Sequence, residues 1–165
     1  MNRPDFEHRT DEDLYGSTSN DLMTSLQDLS AVPATPSRVF VFGSNEQGKH
    51  GAGAARYAAD NHGAIRGQGF GPQGNSFGLP TCAQPVGQSR WEIPFDKFKD
   101  YVRLFICYAM LHPELEFQVT QVGCGFVGKT AEDVAPLFAQ APTNCLFDDA
   151  WKPYLPTTAR FWGTF

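Results

Sequence analysis

Three stretches of this 165-residue chain carry a hydrophobic rhythm clear enough to name an element. Arg38 to Phe42 (RVFVF) is a short run of β-branched and aromatic residues closed by Gly43, the pattern of a buried strand. Phe95 to Leu111 places Phe95, Phe98, Val102, Phe105, Ile106, Ala109 and Met110 at three- and four-residue spacing. Pro94 suits its first turn and His112-Pro113 closes it, so the spacing predicts a helix whose apolar stripe is core. Phe117 to Val122 reads as a second central strand. Around these, Ala52 to His62 is an Ala-rich helix ending at Gly63, and Ala64 to Thr81 holds two short strands about a glycine turn. Ala131 to Gln140 is a helix that Pro136 shortens or kinks, and Asn144 to Phe147 is a last strand before an aromatic stretch with Trp151, Tyr154, Phe161, Trp162 and Phe165. Strands alternating with helices predict one layered α/β domain over residues 38–165.

The segment before it has another character. Residues 1–18 are charged and aperiodic, the composition of a disordered leader. Ser19 or Asn20 caps a possible short helix over residues 20–31, with Leu22, Met23, Leu26 and Leu29 on one side, before the stop at Val32 to Pro36. Charge sharpens this boundary: residues 1–37 hold seven acids against Arg3 and Arg9, so the whole net charge of -5 lies there and the remainder is neutral. A neutral body argues against a broad nucleic-acid surface, which depends on many phosphate contacts. No apolar run reaches the length of a membrane span, and the N-terminus is acidic where a secretory leader is basic and then apolar, so a cytoplasmic chain is expected. Cys82, Cys107, Cys124 and Cys145 lie 25, 17 and 21 residues apart without a C-x-x-C pair, which points to reduced thiols and to no metal or other cofactor.

Glycine is concentrated where the chemistry is expected: 10 of the 16 glycines fall between Gly43 and Gly78. In Gly43-Ser44-Asn45-EQGKHGAG, Asn45 is followed by Gly48, Gly51 and Gly53 as a helix begins. Such glycines let unpaired backbone N–H groups at a helix N-terminus approach a phosphate closely. The second loop, Gly123-Cys124-Gly125-Phe126-Val127-Gly128-Lys129-Thr130, also follows a strand and precedes a helix, and it satisfies G-x-x-x-x-G-K-T. In a P-loop nucleotide hydrolase Lys129 would reach the terminal phosphates and Thr130 would hold magnesium, with Asp148 or Asp149 as the downstream aspartate. Only 35 residues follow Thr130, too few for the rest of such a domain, so a phosphate-facing loop of another fold is favoured. A third pattern, Gly69-F-Gly71-PQ-Gly74, formally fits a dinucleotide fingerprint but opens no helix.

Asn45, Gly48, Gly51 and Gly53 before an Ala-rich helix, together with VTQVGCGFVGKTAEDV, resemble the two ligand loops of the macrodomain family. The likeness is nearest to its branch of ADP-ribosyl glycohydrolases and small bacterial and phage macrodomain-like proteins, and it covers about residues 38–140. The resemblance implies a three-layer αβα sandwich with a mixed central sheet that binds ADP-ribose or a related NAD derivative. It places Asn45 beside the distal ribose and Gly123 to Gly128 around the pyrophosphate. Where the hydrolases of that branch carry a catalytic Lys and an acid, this chain has Cys82 and Val127. An Asn-oriented water remains the hydrolytic route that the resemblance allows.

His50 in the first loop is a candidate general base or ribose ligand, or an exposed loop histidine. Cys124, between glycines and without an evident base, reads as packing rather than as a nucleophile, and Cys82 as a similar thiol in a more open, Pro-bounded loop. The sequence thus leaves open an ADP-ribose binder, an ADP-ribosyl hydrolase, a P-loop enzyme, and an interaction protein acting through its acidic leader and aromatic C-terminal stretch.

Overall fold

A computed structural model of the chain describes residues 37–83, 91–125 and 127–165. The acidic leader, with the helix expected over residues 20–31, lies outside the described residues.

The first strand, β1 (Ser37–Asn45), alternates its side chains between two cores: Val39 and Val41 enter one, Phe40 and Phe42 the other. Gly43 does not end it, because the chain stays paired in parallel with β3 (Ser76–Ala83) through Gly43 and Ser44 and, after a shift of register, Asn45. Between them, α1 (Gly53–Asn61) packs Ala55 and Ala58 on Phe40 and Phe42, and β2 (Gly71–Gln73) turns through Gly74 into β3. Gly74 has a φ of +55° there, which explains the residue at that turn.

The other face is covered by α2 (Phe95–Leu111), bounded as its periodicity predicts. Phe98, Val102, Phe105, Ile106 and Ala109 pack into one cluster with Val41, Phe77, Leu79, Phe117 and Val119. The Phe105 ring meets Phe77 at 5.1 Å and Phe117 at 5.4 Å in edge-on geometry. Each of the larger buried side chains, Phe98, Val102, Phe105 and Ile106, contributes roughly 1.5–3 kcal/mol, so this stripe anchors the helix far more firmly than propensity does.

Among the described residues seven strands form one mixed sheet in the order β2-β3-β1, then β5 (Leu115–Val119), β6 (Cys145–Asp148) and β7 (Arg160–Gly163), with β4 (Trp91–Glu92) also paired to β3. β5, β6 and β7 continue the parallel set, whereas β2 and β4 run antiparallel to β3. Helices on both faces make this an α/β sandwich. Among the described residues no helix is long and apolar enough to cross a membrane.

Three local expectations are corrected. β5 ends at Val119 rather than Val122: Thr120 bonds the Val41 carbonyl through both its N–H (3.1 Å) and its hydroxyl (2.9 Å), and the chain then turns away. The helix expected over residues 131–140 is one α-turn, α3 (Ala131–Val134), tightened into a 3₁₀ turn at Ala135–Phe138, as Pro136 requires. The aromatic C-terminal stretch contains strand β7, where the Trp162 indole donates to the Val119 carbonyl at 3.1 Å.

Candidate ligand cavity

A cavity of about 300 Å³ opens at the carboxyl ends of β1, β3, β5 and β6, the lower end of the range for small-molecule sites. β1 is the point where the chain order diverges, with β3 on one side and β5 on the other, and such points are where α/β sheets collect ligands. Both glycine loops stand in its wall. Gly43, Ser44, Asn45, Lys49 and Gly53 come from the first, and Gly123, Cys124, Gly125 and Val127 from the second. They meet closely: a Cβ on Gly43 would lie 3.6 Å from the Gly123 nitrogen.

Asn45 folds the first loop upon itself. Its Oδ1 accepts the Lys49 N–H at 3.0 Å and its Nδ2 donates to the Lys49 carbonyl at 2.9 Å, with the residue 8% exposed. One amide proton and one carbonyl lone pair remain beyond that clamp. Glu46 ties the loop to α2 by accepting the Tyr101 hydroxyl at 2.9 Å and pairing with Lys97. The Lys97 hydrogen bond holds the Glu46 carboxyl below its usual range, helped by Tyr101 and the lysine charge and opposed by burial. Next comes the N-terminus of α1, with Ala52, Gly53, Ala54 and Ala55 in the wall. No side chain caps that end and its first turn holds no acid, so its N–H groups and positive dipole end have no side-chain partner.

Gly48 and Gly51 are not among the wall residues, and neither is His50. His50 is 1% exposed behind the wall, its Nε2 lying 3.2 Å from the Ser44 hydroxyl and its ring edge-on to Phe42 at 5.1 Å. Burial lowers its pKa, the Arg66 charge adds to this, and the Gln68 backbone works the other way. The geometry therefore gives His50 a supporting role beneath Ser44. Below the ordinary value of 6.5, the unfolded chain takes up a proton that native His50 refuses, and His62, also lowered by burial, adds to this. Stability is thus full above that value and declines beneath it. The melting temperature should fall between about pH 7 and about pH 5, and the fall should be smaller in His50→Gln.

The second loop closes through the Gly128 N–H on the Gly125 carbonyl and the Lys129 N–H on the Gly123 carbonyl, both at 3.1 Å, with Gly123 at a φ of +80°. Cys124 is half-buried with its thiol pKa raised, first by burial and then by Asp133 and Asp148, against the Trp151 indole. A protonated thiol is a poor nucleophile. Cys82 also lines the cavity, but as a buried residue of β3 paired with Asn45, which corrects the expectation of an open loop. Gly128 and Lys129 are not wall residues. The Lys129 side chain, 8% exposed, pairs with Glu92 above the Phe95 and Phe98 rings at 5.2 and 5.9 Å. Thr130 caps α3, accepting the Asp133 N–H at 3.2 Å and donating to its carboxylate at 2.6 Å. Phe126 lies outside the described residues.

The cavity also holds residues that the loop motifs do not reach: Thr81, Thr120, Gln121, Asp148 and Phe165. Asp148 is fully buried and accepts the Gln121 amide at 3.2 Å, the Ala150 N–H at 3.0 Å and the Phe165 N–H at 3.1 Å. Its place at the end of a parallel strand was the available signal, and the sequence offered it only as a magnesium ligand. Phe165 rests on Phe40 and Tyr57 at 5.3 and 5.0 Å, which brings the far end of the chain to the wall. Among the described residues no group of three or more His, Cys, Asp or Glu could hold a metal ion. No protein-family model matches this chain, and no curated protein or solved structure matches it.

Proposed function

We propose that this chain is a macrodomain-like protein that binds ADP-ribose or a related NAD-derived nucleotide, holding the pyrophosphate on backbone N–H groups. One observation carries the reading: the uncapped N-terminus of α1 and the second glycine loop share one cavity at the carboxyl ends of parallel strands. The loop glycines leave room for an anion at the wall, since a Cβ on Gly125 would meet nothing within 4 Å. Asn45, with half of its amide still uncommitted, stands in the same wall to contact a ribose hydroxyl or hold a water. Hydrolysis of an ADP-ribosyl linkage would fall to that water, because Cys82 and Val127 occupy the wall where a lysine and an acid would be needed.

A P-loop mode is less well supported by the same residues. Its lysine must reach the phosphates and its threonine the magnesium, whereas Lys129 pairs with Glu92 and Thr130 is bonded to Asp133. The helix that should run on from the loop has four residues. Calorimetry with ADP-ribose should therefore show binding of equal strength with and without magnesium. Binding confined to magnesium-dependent ATP or GTP would reverse the assignment.

A further inference from the structure

Among the described residues every lysine and arginine lies within ion-pair distance of a carboxylate, with two exceptions, Lys49 and Arg66. One stands in the cavity wall and the other on the segment bonded to the first loop. Lys49 is exposed in the cavity wall. Arg66 acts electrostatically on buried His50, one residue on, and its neighbour Gly67 donates its N–H to the Gly48 carbonyl at 3.0 Å. The acid in the same loop cannot neutralise them, because Glu46 is engaged by Lys97 and Tyr101. The other charged wall residue, Asp148, is fully buried and bonded to the neutral donors Gln121, Ala150 and Phe165, and it makes no ion pair with Lys49. Lys49 thus stands in the cavity wall without a carboxylate partner, and Arg66 on the segment bonded to the same loop, whereas every other lysine and arginine among the described residues is paired.

We infer that Lys49 is a specificity-determining residue of this cavity, contacting a phosphate of the ligand from the side of the first loop, while Arg66 strengthens the field that draws the anion in. The inference rests on the reading of the cavity as a phosphate site and adds the side chain that supplies charge to it. Its geometry is set in advance: Asn45 grips the Lys49 N–H and carbonyl together, so the lysine stem leaves the backbone at a fixed point on the rim. That grip involves only backbone atoms of Lys49, and a change of its side chain leaves the loop intact. A backbone cradle alone binds any anion of suitable shape, whereas a cation at the rim favours ligands with more phosphate charge.

The test is calorimetry of the wild-type chain, Lys49→Gln, Lys49→Arg and Arg66→Gln with inorganic pyrophosphate and with ADP-ribose, at low and high salt. Lys49→Gln should weaken pyrophosphate binding by about two- to fivefold, as expected for one partly screened charge, and flatten its salt dependence, with the melting temperature unchanged. Lys49→Arg should restore most of the affinity. Arg66→Gln should weaken binding less, and only at low salt. Wild-type affinity and salt dependence in Lys49→Gln would overturn the inference, and so would a loss accompanied by a lowered melting temperature or not recovered by arginine. Wild-type protein that binds pyrophosphate but holds ADP-ribose no more tightly removes the ADP-ribose reading and leaves the role of Lys49 to be decided by the variants. Protein that binds neither overturns both.

Discussion

Gly48→Ala should lower the melting temperature by roughly 10 °C and abolish ligand binding, although Gly48 is not part of the cavity wall. Its φ of +65° belongs to the left-handed region that disfavours a side chain, and an added Cβ would stand 2.3 Å from the Gln68 nitrogen and 2.5 Å from the Gly67 carbonyl carbon. These are backbone atoms, so no rotamer change relieves the contact. The two segments are also bonded to each other, Gly67 N–H to Gly48 carbonyl at 3.0 Å, and Gly48 N–H reaches the Asn45 carbonyl at 2.9 Å. Separating them pulls on the residue that clamps the loop. Strain and clash together amount to about 3 kcal/mol. A thermal melt paired with a binding titration checks this; a transition within 2 °C or so of wild type, on the usual scale for such domains, would show that the loop has another way to pack.

Gly125→Val should do the reverse, leaving stability as it is and removing the ligand. A Cβ at Gly125 meets nothing within 4 Å and the residue does not hold a left-handed φ, so the protein itself has no need of glycine there. In the proposed binding mode the glycine serves what approaches from outside. A branched side chain would fill the space in which a phosphate reaches the loop, and losing two hydrogen bonds to a charged group weakens binding by about a hundredfold or more. Calorimetry on a variant with an unshifted melting temperature is the check. Undiminished affinity would place the ligand away from the second loop.

These two glycines also show where the sequence could be read and where it could not. Positions with one dominant local cause were legible: the stripe from Phe98 to Ala109 sets α2, and Pro136 breaks the helix it interrupts. Gly48 and Gly125 look alike in sequence because glycine spacing does not distinguish room for a neighbouring backbone from room for a ligand; only the packing of residues 67–69 against the first loop separates them. The same holds for Gly69, where a Cβ would stand 2.2 Å from the Asn45 carbonyl oxygen. Lys129 matched a motif whose meaning depends on the direction of its side chain, and Glu92, on a two-residue strand too short to notice, draws it elsewhere. Asp148 and Phe165 reach the cavity through long-range sheet order, β6 beside β5 and β7 beside β6, which no local pattern encodes.

In the proposed binding mode one ligand touches both loops at once. Amide chemical shifts followed during an ADP-ribose titration without magnesium test it most directly, since backbone N–H groups are the proposed donors. Gly53, Ala54 and Ala55 should move together with Gly123, Cys124 and Gly125 along a single saturation curve. Shifts confined to one loop, or centred on Lys129 and Thr130 and dependent on magnesium, would contradict it.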